Sequence, residues 1–367
     1  MRLDFLNEIL LEVAAAPART PHPEDAIFEG TAVAERMVAA LSYVIKNPGT
    51  LTIKWDGYPA LIFGRTPEGK LTVMDKYMFD KPSEQGRATS PEDWIKYDQG
   101  RGKDRGDLYQ RISNLWPGLD QAVGNVPGYF WGDLLWSSPL KPVKGTFIFK
   151  PNLVEYHVPV KSSLGQQIAG KVGGIVVHTY LADERARPQP WNGQGLKLDA
   201  PVAILTPSAN IKFTLNDPVQ LHRAAITTLK QYSTVIDKFL SGIDDKARAA
   251  LKQYANKRIT GQTTAEFADW LLTANVTQKL RKFLLGDNQG GYLYRNQKGL
   301  AALFTVWNAV YAFKINLTEQ LEKQVQGLGQ YVNGQPAGEG FVFSTPDGPI
   351  KLVHRGVFSQ ALFAKMG

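Results

Sequence analysis

Apolar residues recur at helical spacing in two stretches near the start of the chain. Leu3, Leu6, Ile9, Leu10 and Val13 mark a helix over 3–16, broken by the prolines from Pro17 to Pro23. Val33, Met37, Val38, Leu41 and Ile45 mark a second over 32–45, with Thr31 as its expected N-cap and Asn47-Pro48-Gly49 as its end. From Leu51 the period shortens to that of strands, expected at 51–54, 59–64, 71–75, 128–135, 146–150, 154–158, 174–180 and 201–206, with a short helix over 162–171. Two polar runs interrupt them. Residues 80–112, rich in Gly, Arg and Lys, are expected to be a solvated loop or a mobile basic loop that meets phosphates. Residues 183–199 form a second long loop. Beyond about 216 the texture changes to helices over 217–241, 244–257, 263–285 and 297–325, and strands return at 340–343 and 349–353.

That order predicts an α+β protein: an N-terminal helical segment (1–48), a strand-rich core in two parts (49–214 and 331–367), and an all-helical module (215–330) inserted between them. No repeat period or low-complexity tract is evident.

Composition narrows the function classes. A chain of 367 residues with 43% hydrophobic and 21% charged positions is ordinary for a globular protein. Zero cysteines exclude disulfides, thiolate metal sites and a cysteine nucleophile, and with five histidines a zinc site is not expected. No apolar run is expected to reach a membrane span, and the N-terminal residues lack a signal-peptide core, so a cytoplasmic protein without membrane partners is expected. The net charge of +8 points to a polyanionic partner, nucleic acid first, with much of the basic charge in the helical module (Lys230, Lys238, Lys246, Lys252, Lys279, Lys282). No obligatory protein partner is evident.

The candidate chemistry centres on Lys54-Trp55-Asp56-Gly57, a lysine at the end of an apolar strand followed by an Asp-Gly turn. Burial there favours the neutral, nucleophilic amine. A hairpin whose lysine reaches solvent accounts for the same pattern, and the stretch alone leaves both open.

Lys54-x-Asp56-Gly57 resembles the lysine motif of covalent nucleotidyltransferases, the superfamily of polynucleotide ligases and mRNA capping enzymes. Four further pieces follow in that superfamily's order: Val73-Met74-Asp75-Lys76-Tyr77, Phe130-Trp131-Gly132-Asp133-Leu134, Glu339-Gly340-Phe341-Val342-Phe343 and Ile350-Lys351-Leu352-Val353. The resemblance covers roughly 50–180 and 335–358. His22-Pro23-Glu24-Asp25 and Gly174–Tyr180 add a likeness to a ligase-like group carried by tailed phages, whose cytoplasm would be the host's.

The resemblance implies a ligase-type fold with ATP-grasp-like antiparallel sheets, ATP as substrate and Mg²⁺ (or Mn²⁺) as metal. Lys54 would form the lysyl-AMP, with Asp56 a further catalytic residue and Gly57 a nucleotide contact of the same motif. Asp133 would meet the ribose, Glu339 the metal, and Lys351 and Lys76 the α-phosphate. Phe130 is favoured over Trp131 and Phe341 for stacking on the base. Each has a plain alternative: Asp56 as a turn residue, Asp133 as a cap, Glu339 as a turn carboxylate, Lys351 as an exposed strand lysine. His157 and His178 read as strand histidines rather than ligands.

Departures from the pattern shape the expected activity. Pro59 stands where ligases carry an arginine, which leaves Arg65 as a candidate for that contact. Val353 stands where a second lysine is usual, and Arg355, on the same strand face as Lys351, is its candidate substitute. The sequence ends soon after Lys351, so no C-terminal OB domain is expected. These features favour an RNA-type ligase that joins RNA or DNA ends. A DNA ligase, nucleotidyl transfer to another acceptor, and a degenerate fold that only binds ends are the alternatives.

Overall fold

The computed structural model describes residues 22–47, 51–81, 86–208, 218–287, 290–345 and 348–356. The helix expected over 3–16 lies outside them. The strands, in chain order, are β1 (Leu51–Ile53), β2 (Ala60–Arg65), β3 (Leu71–Met74), β4 (Tyr129–Trp136), β5 (Thr146–Phe149), β6 (Glu155–Pro159), β7 (Gly173–Leu181), β8 (Gln189–Pro190), β9 (Val202–Leu205), β10 (Gly329–Val332), β11 (Gln335–Pro336), β12 (Phe341–Thr345) and β13 (Gly348–Leu352). After a 3₁₀ helix (Pro23–Glu29), the helices are α1 (Thr31–Lys46), α2 (Lys76–Phe79), α3 (Pro91–Gly100), α4 (Gly106–Val123), α5 (Ser163–Ile168), α6 (Pro218–Ser241), α7 (Asp245–Ile259), α8 (Phe267–Thr273), α9 (Gln278–Leu285), α10 (Tyr292–Arg295) and α11 (Gln297–Glu322). The protein is α+β, with mainly antiparallel sheets.

The chain divides into two compact units, and the division differs from the expected one. Residues 55–208 with 327–336 form the first; 22–54, 218–326 and 337–356 belong to the second. The strands at 51–53 and 341–352 therefore group with the helices, not with the strand-rich stretch that follows residue 54. Residues 327–336, expected to straddle the boundary between the helical module and the last part of the core, group with that stretch.

In the first unit a six-stranded sheet runs β3-β2-β4-β7-β8, with β9 added parallel to β7. Leu61, Ile62, Phe63, Val73, Ile175 and Val177 are fully buried on it, which explains why these strands read as unbroken apolar runs. A four-stranded sheet, β11-β10-β6-β5, completes the unit.

The run 80–112 is largely not a loop, because α3 and α4 occupy much of it. Leu108, Ile112, Leu115, Leu119 and Ala122 of α4 carry a helical apolar stripe onto the core, despite Pro117 within the helix. The arginines of the run are engaged internally, while Lys81, Lys96 and Lys103 are exposed. Asp98 is fully buried and accepts from Arg101, from Arg105 (2.6 Å) and from Tyr109 (3.1 Å). Burial opposes its ionisation, but the bonds from Arg105 and Arg101 outweigh it and hold the carboxyl below its usual range. A phosphate-seeking mobile loop does not fit this arrangement.

In the second unit α1 and α11 pack on β12 and β13 of the sheet β1-β12-β13, and the 3₁₀ helix and the other helices pack on these helices or on one another. Thr31 is the first helical residue, not the cap: its Oγ1 donates to Asp237 Oδ2 on α6 at 2.6 Å. The helix expected over 263–285 is two, because Thr277 caps a new start by accepting from the Leu280 N–H at 3.2 Å. Among the described residues α11 is long and apolar enough to cross a membrane, contrary to expectation, with 44% of its apolar window buried. Ala302, Val306, Val310, Phe313, Leu317 and Leu321 are its buried stripe.

A buried ionic network ties this unit together. Lys314 on α11, fully buried, donates to Glu24 Oε1 at 2.5 Å, and Arg355 donates to the same oxygen at 3.0 Å and to Asp25 Oδ1 at 2.9 Å. Arg355 also donates to Asn256 at 2.9 Å. Burial opposes ionisation of Glu24, yet Lys314 and Arg355 outweigh it and keep the carboxyl below its usual range. His22 beside them is pushed down to about 3, by burial first and then by the charge of Arg355. Its Nδ1 is buried without a hydrogen-bond partner among the described residues.

Two outcomes follow from this network. Lys314→Met leaves Glu24 without that ion-pair partner and is expected to cost about 3–5 kcal/mol in urea unfolding, the range for breaking a buried ion pair from one side. His22 charges in the unfolded chain below about 6.5 but resists charging when folded until about 3. Its contribution is therefore complete above 6.5 and is lost as pH falls toward 3. Glu24 acts in the same direction, whereas Asp25, raised chiefly by burial, acts oppositely. His22→Gln should therefore flatten the decline of unfolding free energy between pH 6.5 and 4; an unchanged slope would count against this.

Candidate active site

The second unit carries four of the expected site residues: Lys54, Glu339, Lys351 and Arg355. Lys54 follows β1 directly, and its backbone N–H continues the ladder by donating to Gly340 O at 2.9 Å. Its side chain, 28% exposed, is ion-paired to Glu339 Oε1, whose side chain is 11% exposed. The turn that delivers Glu339 depends on its neighbour. Gly340 has φ +100°, and a Cβ there would lie 2.0 Å from Leu352 O, so a glycine is required at this position.

Register sets the rest. Thr52, Val342 and Lys351 are partners across β1, β12 and β13 and are half-buried, while the next row, Ile53, Phe341 and Leu352, is buried. Strand alternation puts Lys54 on the face of Thr52, and hence on that of Lys351. Phe341, with no exposure, is excluded as a base-stacking ring.

The first unit holds the remaining motif residues. Asp56 is 5% exposed, and its carboxylate is engaged by protein: Oδ1 accepts from Asn152 at 2.8 Å, and Oδ2 from the Leu153 and Val154 N–H groups at 2.5 and 2.8 Å. Its own N–H donates to the Tyr156 hydroxyl at 2.6 Å. Asp56 is thus engaged as a clamp on residues 152–154, where the motif led one to expect a catalytic carboxylate. Gly57 is demanded by packing, since a Cβ there would meet Asp133 Cβ at 2.5 Å.

Asp133 lies on β4, on the same strand face as Trp131, both half-buried. The pairing of β4 with β7 runs Trp131↔Thr179 and then Gly132↔Val177, so His178 is the extra residue of a β-bulge. The bulge brings His178 Nε2 to 3.7 Å from Asp133 Oδ2, and its ring to 6.1 Å from that of Trp131. His178 Nδ1 is 2.7 Å from Thr179 Oγ1. An alternation reading of β7 has no means of locating this bulge, which is why His178 read as an ordinary strand histidine.

Four expected contacts are corrected. Phe130 is 1% exposed and packed among Phe63, Tyr180 and Trp191, so Trp131 is the aromatic of that motif on the half-buried face. Arg65 lies at the far end of β2 from Ala60, the partner of Asp133, a span of about 17 Å at roughly 3.3 Å per residue. Its guanidinium donates to Asp120 Oδ1 (2.6 Å), Asp120 O (2.9 Å) and Gly124 O (2.5 Å). Lys76 is not on a strand: Asp75 caps α2 by accepting from the Met78 N–H, and Lys76 is its exposed first residue. Arg355 lies beyond the end of β13 and is buried in the ionic network, so it does not stand in for a second strand lysine.

Among the described residues no three His, Asp or Glu side chains cluster to hold a metal. Glu339 can supply one carboxylate, which suits a hard cation held mainly by phosphate oxygens and water. Residues 20–366 match the model of a family described as a family of unknown function (DUF6267), and the chain belongs to that family. No curated protein matches it, and no solved structure does.

Proposed function

We propose that this member of a family of unknown function is an ATP-dependent polynucleotide ligase that works through a lysyl-AMP intermediate, with RNA-type end joining favoured. The observation that carries the reading is the Lys54–Glu339 pair at the end of β1, with Lys351 on the same face of the same three-stranded sheet. These residue types suit phosphoryl chemistry: an amine to attack, a carboxylate beside it and a cation for phosphate charge.

In the first step the Lys54 amine attacks the α-phosphorus of ATP. An N–P bond forms, the bond to the β-phosphate oxygen breaks, and pyrophosphate leaves. Glu339, hydrogen-bonded to Nζ, is positioned to receive the proton that Nζ sheds. Lys351 supplies positive charge for the α-phosphate. Mg²⁺ held at Glu339 and the phosphates would neutralise the triphosphate. AMP then passes to a 5′-phosphate end and is displaced by a 3′-hydroxyl. Within the first unit taken by itself, Asp133, Trp131 and His178 group a carboxylate, a ring and an imidazole of the kinds that a nucleoside requires. The engagement of Arg65 and Arg355 within the protein favours a second reading, a ligase-like fold that binds ends without transfer.

The test is self-labelling. Incubation with Mg²⁺ and each α-³²P-labelled NTP in turn should give a label stable to alkali and released by acid, as expected of a phosphoramidate. Lys54→Ala should abolish it, and Lys351→Ala should slow it by about 10²–10³-fold, the range for losing one charge-stabilising donor. No label with any NTP, or undiminished label in Lys54→Ala, overturns covalent transfer. Sealing assays on 5′-phosphorylated RNA and nicked DNA then identify the acceptor.

A further inference from the structure

The excess positive charge of this chain is concentrated. Residues 218–326 contain 15 Lys and Arg against 8 Asp and Glu, a balance of +7, while the whole chain carries +8. The remainder is close to neutral.

Within that segment one surface pairs cations with exposed rings. Lys279, Lys282 and Phe283 of α9 are spaced i, i+3, i+4 and so share a face, while Leu280 and Leu284 are buried on the other. The Phe283 ring stacks on Tyr292 of α10 at 5.4 Å between centroids and 22° between planes, yet Phe283 remains 42% exposed. Tyr292 is anchored, its hydroxyl donating to Phe239 O at 2.8 Å. In the same turn Tyr294 is 55% exposed and Arg295 is exposed. Lys282 contacts Asp287 at 3.1 Å, but both side chains are at least 70% exposed, so a phosphate can readily displace that pair. Arg281 does not belong to the surface, because it donates to Leu271 O and Ala274 O, both at 2.9 Å.

A lysine face kept only for solubility does not need a stacked aromatic pair and a neighbouring tyrosine left open to water. Rings flanked by cations at intervals are what an unpaired strand requires: a π-face for each base and a charge for each phosphate. We infer that the α9–α10 surface binds single-stranded polynucleotide, with a base stacking on Phe283 and phosphates meeting Lys279 and Lys282. The inference names the partner of the end-joining reading and rests on it, since a ligase must hold a strand.

The test is fluorescence anisotropy of fluorescein-labelled oligo(U) and oligo(dT) from 50 to 200 mM salt. Wild-type binding should weaken with salt. Lys279→Ala with Lys282→Ala should reduce the log–log salt slope by about 1.4, at roughly 0.7 per single-strand phosphate contact. Phe283→Ala should weaken binding about 5- to 150-fold with the slope unchanged, from about 1–3 kcal/mol per stacked base, and Phe283→Tyr should restore it. Wild-type protein that binds neither oligonucleotide, or variants that bind as well as wild type, overturn the inference. So does loss of binding to phosphatidylserine vesicles with oligonucleotide binding intact, which would assign the surface to a membrane. Self-labelling of Phe283→Ala separates the two proposals, because that step needs no strand and should proceed normally. Strand binding lost in the variant, with no label even in wild type, overturns the transfer reading and leaves this one standing. Label without strand binding does the reverse.

Discussion

One antiparallel ladder makes the candidate site. Leu51, Thr52 and Ile53 pair with Phe343, Val342 and Phe341, and the pairing extends through the Lys54 N–H to Gly340. Without that ladder, Lys54 and Glu339 are an amine and a carboxylate 285 residues apart in sequence. With it, they meet at a strand end, and Lys351 lies on the same sheet face because β13 pairs on the other side of β12. Loop-closure entropy is set against such a distant pairing, so something must reward it. The reward is visible in the alternate rows: Leu51, Ile53, Phe341, Phe343, Ile350 and Leu352 are all buried.

The ionic network below the end of β13 gives the same sheet a second anchor. Arg355 reaches Glu24 and Asp25, and Lys314 reaches Glu24 from the middle of α11. An apolar replacement of such a cluster often matches or exceeds its stability. Its distinctive property is directional: Glu24 accepts from two cations on different elements, so β13, α11 and the 3₁₀ helix take one arrangement. The same engagement removes Arg355 from the chemistry that its sequence position suggested.

Charge in this protein divides into two kinds. Arg101 and Arg105 surround the buried Asp98, Arg65 grips Asp120 and the carbonyl of Gly124, and Arg87 pairs with Glu184 at 2.8 Å. These cations order structure. Lys279 and Lys282, by contrast, are exposed beside exposed rings, where their fields extend into solvent. Composition reports only the sum of the two kinds, which is why the run 80–112 read as a basic loop.

The sequence by itself determined most strands, the long helices and the α+β class, because burial on a sheet or along a helix stripe writes a period into neighbouring residues. The glycines of Lys54-x-Asp56-Gly57 and Glu339-Gly340 stood in the motifs, but their necessity is tertiary, since a Cβ would meet Asp133 at the first and Leu352 O at the second. Only the tertiary structure decided which motif side chains are available for chemistry. Phe130 and Trp131 are adjacent in sequence, yet one is enclosed by three rings and the other shares the half-buried face with Asp133. Arg355 seemed to alternate with Lys351, but the strand ends at Leu352 and the arginine turns into the network. His178 reaches Asp133 through a bulge that no periodicity records. Side-chain availability depends on partners distant in sequence, and local pattern carries no information about them.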